Sequence, residues 1–318
     1  MTTTTSQPYA LLFPGQGSQK VGMGKALFDA SPAARAVFEE ADDVLGERLS
    51  ALCFDGDEGE LALTANTQPA ILTCSVAALR VFRERLEPQL GAPAVCAGHS
   101  LGEFSALVAA GALRFADALR LVRIRGQAMQ EAVPAGVGAM AAIIGMPADE
   151  LEALCVRISS EGDGEVSPAN ENGGGQIVVA GHAGAVERLV AEIEATERVR
   201  AIPLQVSAPF HCGLMAPAAE RLAAALEDIA IGRLAIPVIA NVDAAPYPDA
   251  AQVKDRLVRQ VTSRVRWEAS VQRLAHDGVS RGFELGHGRV LAGLCRRIDR
   301  ALKITGLGAP ADFDRVAA

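Results

Sequence analysis

The sequence is poor in aromatic residues, in basic residues relative to acidic ones, and in long apolar runs. Aromatics make up 4% of the 318 residues, so aromatic platforms for single-stranded nucleic acid or carbohydrate are not expected. Lys and Arg number 30 against 38 Asp and Glu, a net charge of −8, which argues against a general nucleic-acid binder. No uncharged apolar run reaches about 18 residues, so no membrane-spanning helix is predicted. The stretch Met1 to Gln7 has no Lys or Arg and precedes no long apolar run, so no secretory signal is predicted.

Cysteine and histidine are also sparse and lack metal-binding patterns. The six cysteines form no C-x-x-C pair and are too few for a disulfide scaffold. Reduced, mostly buried thiols in a cytoplasmic protein are therefore expected. The five histidines show no H-E-x-x-H or comparable spacing, so no metal site is predicted.

The order of apolar runs and amphipathic segments predicts an α/β fold. Short buried strands are expected at 9–13, 94–97, 237–240 and 281–285. Each precedes a predicted helix, an order that is typical of a short parallel sheet covered on both faces. Two of the early helices are expected over roughly 20–45 and from a cap at Asn66 or Thr67, with Pro69 in the first turn of the second.

The pattern changes around Pro134. Alternating strand and helix signals give the order β-α-β-β-α-β in about 70 residues, which is the ferredoxin-like pattern. The expected elements are strands at 138–145, 165–167, 176–180 and 200–206, and helices at 148–158 and 183–194. We therefore predict a small ferredoxin-like subdomain over 134–206, inserted into a discontinuous core formed by 1–133 and 207–318.

The sharpest chemical motif is Gly98-His-Ser100-Leu-Gly102, between a predicted strand and a predicted helix. G-x-S-x-G in this setting is typical of a nucleophile elbow, in which the glycines permit a tight turn and the serine oxygen is exposed at the end of the sheet. The motif therefore makes Ser100 the candidate nucleophile. The alternative is a glycine-rich strand–helix turn with a passive serine.

A serine nucleophile needs a base, and His211 is the candidate. It lies in Ala208-Pro-Phe-His-Cys212, just after the predicted insert returns to the core. His99 is too close to Ser100 in the chain to turn back onto it. No Asp or Glu near His211 offers itself as a third member of a triad, so a backbone carbonyl is the candidate partner of the imidazole.

A second glycine-rich segment, Phe13-Pro-Gly15-Gln-Gly17-Ser-Gln19, follows the first predicted strand. It is neither G-x-G-x-x-G nor a P-loop, so nucleotide binding is disfavoured. A flexible backbone here could present an N–H to a developing oxyanion beside the N–H of Leu101, or the segment could be a plain turn.

Several segments in order make the chain resemble the malonyl-CoA:acyl carrier protein transacylases of fatty acid synthesis. The resemblance covers about residues 9 to 305. Its segments are Leu12-Phe-Pro-Gly-Gln16-Gly-Ser-Gln19, Gly98-His-Ser100-Leu-Gly-Glu103, Arg125-Gly, Pro209-Phe-His211, Asn241-Val-Asp243 and Leu257-Val-Arg-Gln260. The resemblance implies an α/β-hydrolase-like core with a ferredoxin-like insert, in agreement with the pattern read from the residues.

The resemblance also implies roles for individual residues. Ser100 would be the nucleophile and His211 the general base, with the backbone amides of Gln16 and Leu101 forming the oxyanion hole. Arg125 would bind the malonyl carboxylate, and Gln260 would offer its main-chain carbonyl to His211. From the residues alone, an arginine on a polar helix face is the simpler interpretation of Arg125. No cofactor or metal is implied, and the substrates would be malonyl-CoA and phosphopantetheinylated acyl carrier protein.

The sequence departs from the family pattern at two places and leaves other functions open. Gly286-His-Gly288 replaces the usual Gly-Pro-Gly, and Phe104 stands where tyrosine is common. Phe210 and Leu101 resemble the malonyl-selective members of the family. The alternatives are an acyltransferase that supplies a polyketide or other secondary pathway, a serine thioesterase or hydrolase, and a carrier-docking scaffold without activity.

The negative charge of the chain is unevenly distributed. Residues 254–303 hold 12 Lys and Arg but 5 Asp and Glu, an excess of seven positive charges in an acidic protein. Its arginines include Arg259, Arg264, Arg266, Arg289, Arg296 and Arg297. Because the carrier proteins of this pathway are acidic, we predict that the carrier docks near Arg289, Arg296 and Arg297. The alternative is scattered, solvated arginines. A monomer that binds neither nucleic acid nor membranes is expected.

Overall fold

The computed structural model describes residues 7–162, 164–194, 199–206 and 208–317. Its strands are β1 (Tyr9–Phe13), β2 (Val95–Gly98), β3 (Gly138–Ile144), β4 (Val166–Gly173), β5 (Gln176–His182), β6 (Arg200–Pro203), β7 (Val238–Ala240), β8 (Ala245–Pro246), β9 (Arg281–Leu285) and β10 (Lys303–Leu307). Its helices are α1 (Lys25–Ala30), α2 (Pro32–Leu45), α3 (Leu49–Asp55), α4 (Glu58–Ala62), α5 (Thr64–Arg85), α6 (Glu87–Leu90), α7 (Gly102–Ala109), α8 (Phe115–Glu131), α9 (Ala148–Ser160), α10 (Ala183–Glu194), α11 (Ala216–Leu226), α12 (Val253–Thr262), α13 (Trp267–His276), α14 (Val290–Ile298) and α15 (Pro310–Ala317).

The larger sheet has the strand order β10-β9-β1-β2-β7-β8. Its first five strands are parallel, and β8 joins β7 in antiparallel fashion. Along β1, Leu11 packs into the core on one face of the sheet, whereas Ala10 and Leu12 pack into the core on the other face. Helices therefore cover both faces, as the continuous apolar runs predict. The α/β class expected from the sequence is confirmed.

The register of this sheet brings the ends of its strands together. Phe13, the last residue of β1, lies opposite Gly98, the last residue of β2. Since the strands are parallel, the segments that follow β1, β2, β7 and β9 emerge at one edge. This edge gathers both glycine-rich segments identified in the sequence.

The long helix predicted over 20–45 is wrong, because the structure breaks it at Ser31. Ser31 adopts an extended backbone, and its hydroxyl accepts a hydrogen bond from the N–H of Ala34. Pro32 then occupies the first turn of α2, where its missing N–H leaves no unpaired acceptor. A serine followed by proline was thus the signal for a new helix.

The start of α5 also differs from the prediction of a cap at Asn66 or Thr67. The helix begins at Thr64, so Pro69 lies beyond its first turn. A proline there cannot donate to the carbonyl four residues earlier. Arg123 of α8 donates to that carbonyl, on Ala65, at 2.7 Å. A contact from another helix therefore satisfies the acceptor that proline leaves open.

The smaller sheet has the order β4-β5-β3-β6, with antiparallel neighbours throughout. Its elements follow one another as β-α-β-β-α-β, as the sequence pattern predicts. β4 is longer than expected, reaching Gly173 with two irregularities in its pairing with β5. The subdomain boundaries at 133/134 and 206/207 stay a prediction.

A short segment between α12 and α13 ties the smaller sheet to the larger layer. Val265 pairs with Asn170 of β4 in a parallel bridge. Arg264 forms ion pairs with Glu152 of α9 at 2.6 Å and with Glu171 of β4 at 2.9 Å. Asn172 of β4 also contacts His99, the residue after β2, so the end of β4 lies near the edge of the larger sheet where β2 ends. Across the described residues, no helix combines the length and apolarity that a membrane span requires.

Candidate active site

The turn between β2 and α7 places Ser100 at the edge of the sheet. Ser100 has a φ of 51°, in the left-handed region that non-glycine residues rarely adopt. A Cβ on Gly98 would lie 2.0 Å from the carbonyl of Gly102, and a Cβ on Gly102 would lie 2.0 Å from the oxygen of Phe13. Both glycines are therefore required by the close approach of backbone segments, as a nucleophile elbow demands.

Asn241, directly after β7, holds this turn in place. Its side-chain oxygen accepts from the N–H of Ser100 at 2.7 Å, and its amide nitrogen donates to the carbonyl of Gly98 at 2.7 Å. One buried side chain thus satisfies a donor and an acceptor of the strained turn. Such pairing is what allows an unusual backbone conformation to persist.

His211 faces the Ser100 hydroxyl. The distance from Nε2 to the serine Oγ is 2.7 Å, and Nδ1 lies 2.8 Å from the main-chain carbonyl of Gln260. Because a carbonyl only accepts, Nδ1 carries the proton and donates it, so Nε2 is free to accept from the serine hydroxyl. His211 has a φ of 62°, so this residue too is held in a rare backbone conformation.

The surroundings keep the imidazole of His211 neutral. Burial and the nearby positive charge of Arg125 lower its pKa from 6.5 to about 3. A neutral imidazole is the form that can take a proton from serine. The carbonyl of Gln260 occupies the place of the acid in a Ser-His-Asp triad, in keeping with the lack of a carboxylate near His211 in the sequence.

Arg125 lies inside the protein and not on a polar helix face. It projects from α8 and is 1% exposed. Its guanidinium donates to Gln68 at 2.8 Å, to Gln260 at 2.9 Å and to the Ser100 Oγ at 3.1 Å. Burial lowers the pKa of Arg125 to about 10, opposed by the negative charge of Glu103, so the side chain stays charged at neutral pH. Its Nε has no partner in the described part of the chain.

A cavity of about 270 Å³ opens above these residues. Gln16 and Leu101 line it, together with Met140 of β3, Asn170 of β4 and Leu204, which follows β6. The N–H groups of Gln16 and Leu101 have no acceptor among the described residues. Both are therefore available to an oxygen atom near Ser100.

A buried polar network behind the site was not assigned any role from the sequence. Glu103, fully buried on α7, accepts from the N–H of Asn241 at 3.0 Å, from Gln260 Nε2 at 2.7 Å and from the hydroxyl of Tyr247. Glu103 and Asn241 belong to motifs quoted above, which was the signal available. Gln68 and Tyr247 carry no local signal, because long-range packing alone brings them here.

His99, the residue before Ser100 in the turn, is half-buried. Its Nε2 lies 2.9 Å from Asn172 Oδ1 of β4, and its ring packs against Trp267. Burial lowers the pKa of His99. His99 therefore connects the turn to the smaller sheet and does not contact the Ser100 hydroxyl.

Known proteins and solved structures are similar to this chain over nearly its whole length. The acyl transferase domain family matches residues 10–303. The malonyl CoA-acyl carrier protein transacylase of Bacillus subtilis is 48% identical over 302 residues, covering 95% of this chain and 93% of that protein. The acyl-carrier-protein-S-malonyltransferase of Bartonella henselae is 45% identical and superposes with a TM-score of 0.91 over 98% of this chain and 99% of that one. A malonyl-transacylase solved in complex with a type II PKS acyl-carrier protein is 44% identical, with a TM-score of 0.92 over 98% and 99% of the two chains.

Proposed function

The chain belongs to the malonyl-CoA:acyl carrier protein transacylases, and we propose that its malonyl transfer runs through a malonyl ester on Ser100. The function, transfer of malonyl from malonyl-CoA to the phosphopantetheine thiol of acyl carrier protein for fatty acid synthesis, follows from the relatives. The observation that carries the site assignment is the chain of contacts from Ser100 Oγ through His211 to the Gln260 carbonyl.

In the first half-reaction, Ser100 attacks the thioester carbonyl while its proton passes to Nε2 of His211. The new oxyanion is stabilised by the N–H groups of Gln16 and Leu101. The tetrahedral intermediate then collapses, the C–S bond breaks and His211 returns the proton to the CoA thiolate. In the second half-reaction the carrier thiol attacks malonyl-Ser100, again with His211 as base, and the serine leaves with that proton.

Arg125 selects the acyl group in this proposal. A buried guanidinium binds a carboxylate through charge-assisted hydrogen bonds, and a malonyl group carries a carboxylate where acetyl has a methyl. The contact of Arg125 with Ser100 Oγ, at 3.1 Å, places the guanidinium beside the point of acylation. The steps use groups of this chain alone, with no cofactor or metal.

The carbonyl partner of His211 favours transfer over the hydrolase alternative. An acid residue beside the histidine would favour a serine hydrolase, and the structure has the Gln260 carbonyl in that position. Transfer to a polyketide carrier stays the second candidate. It is favoured by the 44% identity to the transacylase solved with a type II PKS acyl-carrier protein.

The parallel sheet with its nucleophile turn supports an α/β-hydrolase-like core. The free, buried cysteines support a cytoplasmic location.

We place the carrier on the face of α14 that is rich in unpaired arginine. Arg296 and Arg297 are exposed and form no ion pair with a described residue, whereas Arg289 pairs with Asp312 at 3.4 Å. Arg296 lines a surface groove of about 380 Å³ together with Arg289, Arg300 and Lys303. α14 starts just after β9, at the edge of the sheet that carries Ser100. Arg296 and Arg297 lie in the last turn of α14, so an acidic carrier held here would extend its pantetheine past the start of the helix to reach the Ser100 cavity.

The other arginines of the basic segment are less suited to this role. Arg264 is engaged by Glu152 and Glu171, and Arg259 by Asp243 and Asp255. Their charges are largely offset within the protein. We therefore propose that the carrier docks on α14 and the start of β10.

Acyl-enzyme mass spectrometry tests the Ser100 assignment. The protein is incubated with malonyl-CoA, the reaction is quenched, and the mass of the protein is measured. The acylated protein is then incubated either with holo carrier protein or in buffer alone, where water is the acceptor. We expect a single malonyl adduct that is discharged onto the carrier much faster than onto water, and none with Ser100→Ala. A Ser100→Ala protein that gained malonyl at the parent rate would overturn the assignment, and rapid loss to water would favour the hydrolase.

Charge reversal tests the carrier site. Arg296→Glu with Arg297→Glu is compared with Arg80→Glu and Arg233→Glu, two exposed arginines elsewhere that form no ion pair with a described residue. We expect the first pair to raise the carrier KM about tenfold or more, with unchanged labelling of Ser100 by malonyl-CoA. If both pairs change the carrier KM equally, the carrier does not dock on α14.

A further inference from the structure

Arg125 is a buried cation, and another side chain separates it from the negative charge that acts on it. In the described part of the chain, Glu103 is the acidic group whose charge acts on Arg125. The two side chains do not pair directly. The Gln260 amide lies between them, its Nε2 donating to Glu103 at 2.7 Å and its Oε1 accepting from Arg125 at 2.9 Å.

The carboxylate of Glu103 and the main-chain carbonyl of Ser100 together fix which way the Gln260 amide points, because Gln260 Nε2 donates to both, at 2.7 Å and 3.0 Å. Three donors converge on Glu103, namely the N–H of Asn241, the hydroxyl of Tyr247 and Nε2 of Gln260. Burial raises the pKa of Glu103, whereas these hydrogen bonds and the charge of Arg125 act to lower it. Because three donors face its oxygens, the carboxyl group acts as an acceptor, so it meets the NH₂ end of the amide and turns the amide oxygen toward Arg125. The reversed amide would set its oxygen against the carboxylate and its NH₂ against the guanidinium, with neither hydrogen bond made.

This arrangement gives Arg125 a nearby negative charge and still leaves its guanidinium able to bind a substrate carboxylate. A buried guanidinium without any counter-charge is unfavourable, whereas a guanidinium paired directly with a carboxylate has its donors occupied. With the amide between them, Glu103 acts on Arg125 through space while Nε of Arg125 keeps no partner among the described residues. Nε is buried without a protein acceptor, and Arg125 lines the cavity beside Ser100, so the guanidinium keeps donor capacity for a substrate carboxylate that enters there.

We infer that Glu103 and the side chain of Gln260 are positioning residues for acyl selection, which hold Arg125 charged and oriented while keeping it free for the substrate carboxylate. This inference rests on the proposed role of Arg125. It gives the Gln260 side chain a task separate from that of its main-chain carbonyl, which holds His211. It also gives a task to Glu103, which touches neither substrate nor the reacting atoms.

An exchange of the two side chains tests the inference. The double variant Glu103→Gln with Gln260→Glu keeps one carboxylate and one amide, but sets the carboxylate directly against Arg125. We expect the malonyl carboxylate to meet an occupied guanidinium. The ratio of second-order acylation rates for malonyl-CoA over acetyl-CoA should then fall about tenfold or more, because only malonyl needs Arg125. The ratio cancels any change in His211 or in the Ser100 turn that both substrates share, including loss of the hydrogen bond from Gln260 Nε2 to the Ser100 carbonyl.

Tyr247→Phe is the matched control, since it removes one donor to Glu103 and leaves Gln260 and Arg125 in place. It should keep the parent ratio even if it lowers the melting temperature. A folded exchange variant with a ratio within about twofold of the parent would overturn the inference, as would an equal fall in Tyr247→Phe, which would point to general loosening of the network.

Two further variants separate the possible failures. Should the exchange variant not fold, Gln260→Met removes the amide at similar volume and retains the main-chain carbonyl. The malonyl-CoA to acetyl-CoA rate ratio of Gln260→Met must then fall, and an unchanged ratio refutes the positioning role of the Gln260 side chain. Arg125→Ala reports on the proposed function itself. If that variant leaves the ratio unchanged, Arg125 does not select malonyl. If it lowers the ratio while the exchange and Gln260→Met do not, only the positioning roles of Glu103 and Gln260 fail.

Discussion

The buried imidazole of His211 should leave a measurable signature in the pH dependence of stability. Burial and the charge of Arg125 lower its pKa from 6.5 to about 3 in the folded protein. In the unfolded chain the same group titrates near its ordinary pKa. Between these two values the unfolded chain binds a proton that the folded protein does not, so folding stability from this group falls as pH falls.

The size of the effect follows from the pKa difference. One pH unit inside this interval changes the free energy of unfolding by about 1.4 kcal/mol, so lowering the pH from about 6.5 to about 4.5 costs about 2 kcal/mol. His211→Gln lacks the titrating group. Its free energy of unfolding, relative to the parent, should therefore improve by about 2 kcal/mol over this interval. Carboxylates titrate in both proteins, and their effect cancels in the difference.

Urea unfolding followed by circular dichroism, repeated across this pH range, measures the difference directly. Ser100→Ala serves as the control, because it removes the hydroxyl but keeps the buried imidazole, and it should retain the parent slope. Parallel curves for the parent and His211→Gln would refute the reasoning. They would mean that the folded protein takes up the proton as readily as the unfolded chain, and that His211 is not held neutral by its surroundings.

Three further perturbations test separate parts of the structure. Arg125→Ala should lower kcat/KM for malonyl-CoA about 10- to 100-fold and leave acetyl-CoA far less affected, because one charge-assisted carboxylate pair is lost; equal losses for both substrates would contradict this. Glu284→Gln should lower the free energy of unfolding by about 1–3 kcal/mol, measured by urea titration, since the buried carboxylate accepts from the N–H groups of Leu291 and Ala292 at the start of α14 and an amide accepts only one of them. Gly102→Ala should abolish acylation and lower the melting temperature, because its Cβ would lie 2.0 Å from the backbone oxygen of Phe13; a fully active, stable variant would show that the turn tolerates a side chain.

The sequence by itself determined the elements whose signals are local. The strands predicted at 9–13 and 281–285 have the predicted bounds. The first is a continuous apolar run that ends at turn residues, a signal that can be recognised without any distant partner. The β-α-β-β-α-β order and the two glycines of the Ser100 turn could likewise be predicted from neighbouring residues alone. The predicted helix over 20–45 failed where a serine cap and Pro32 divided it, which is a local signal that the apolar periodicity concealed.

Only the tertiary structure decided what surrounds the nucleophile. Glu103 meets Asn241, Tyr247 and Gln260 across 138, 144 and 157 residues of chain, and Arg125 meets Gln260 across 135. No periodicity or spacing encodes such distances, because the sheet order brings these residues together. Burial then changes their chemistry. An arginine that composition would assign to a surface becomes a buried cation, and a histidine that would titrate near neutrality is kept uncharged beside its serine.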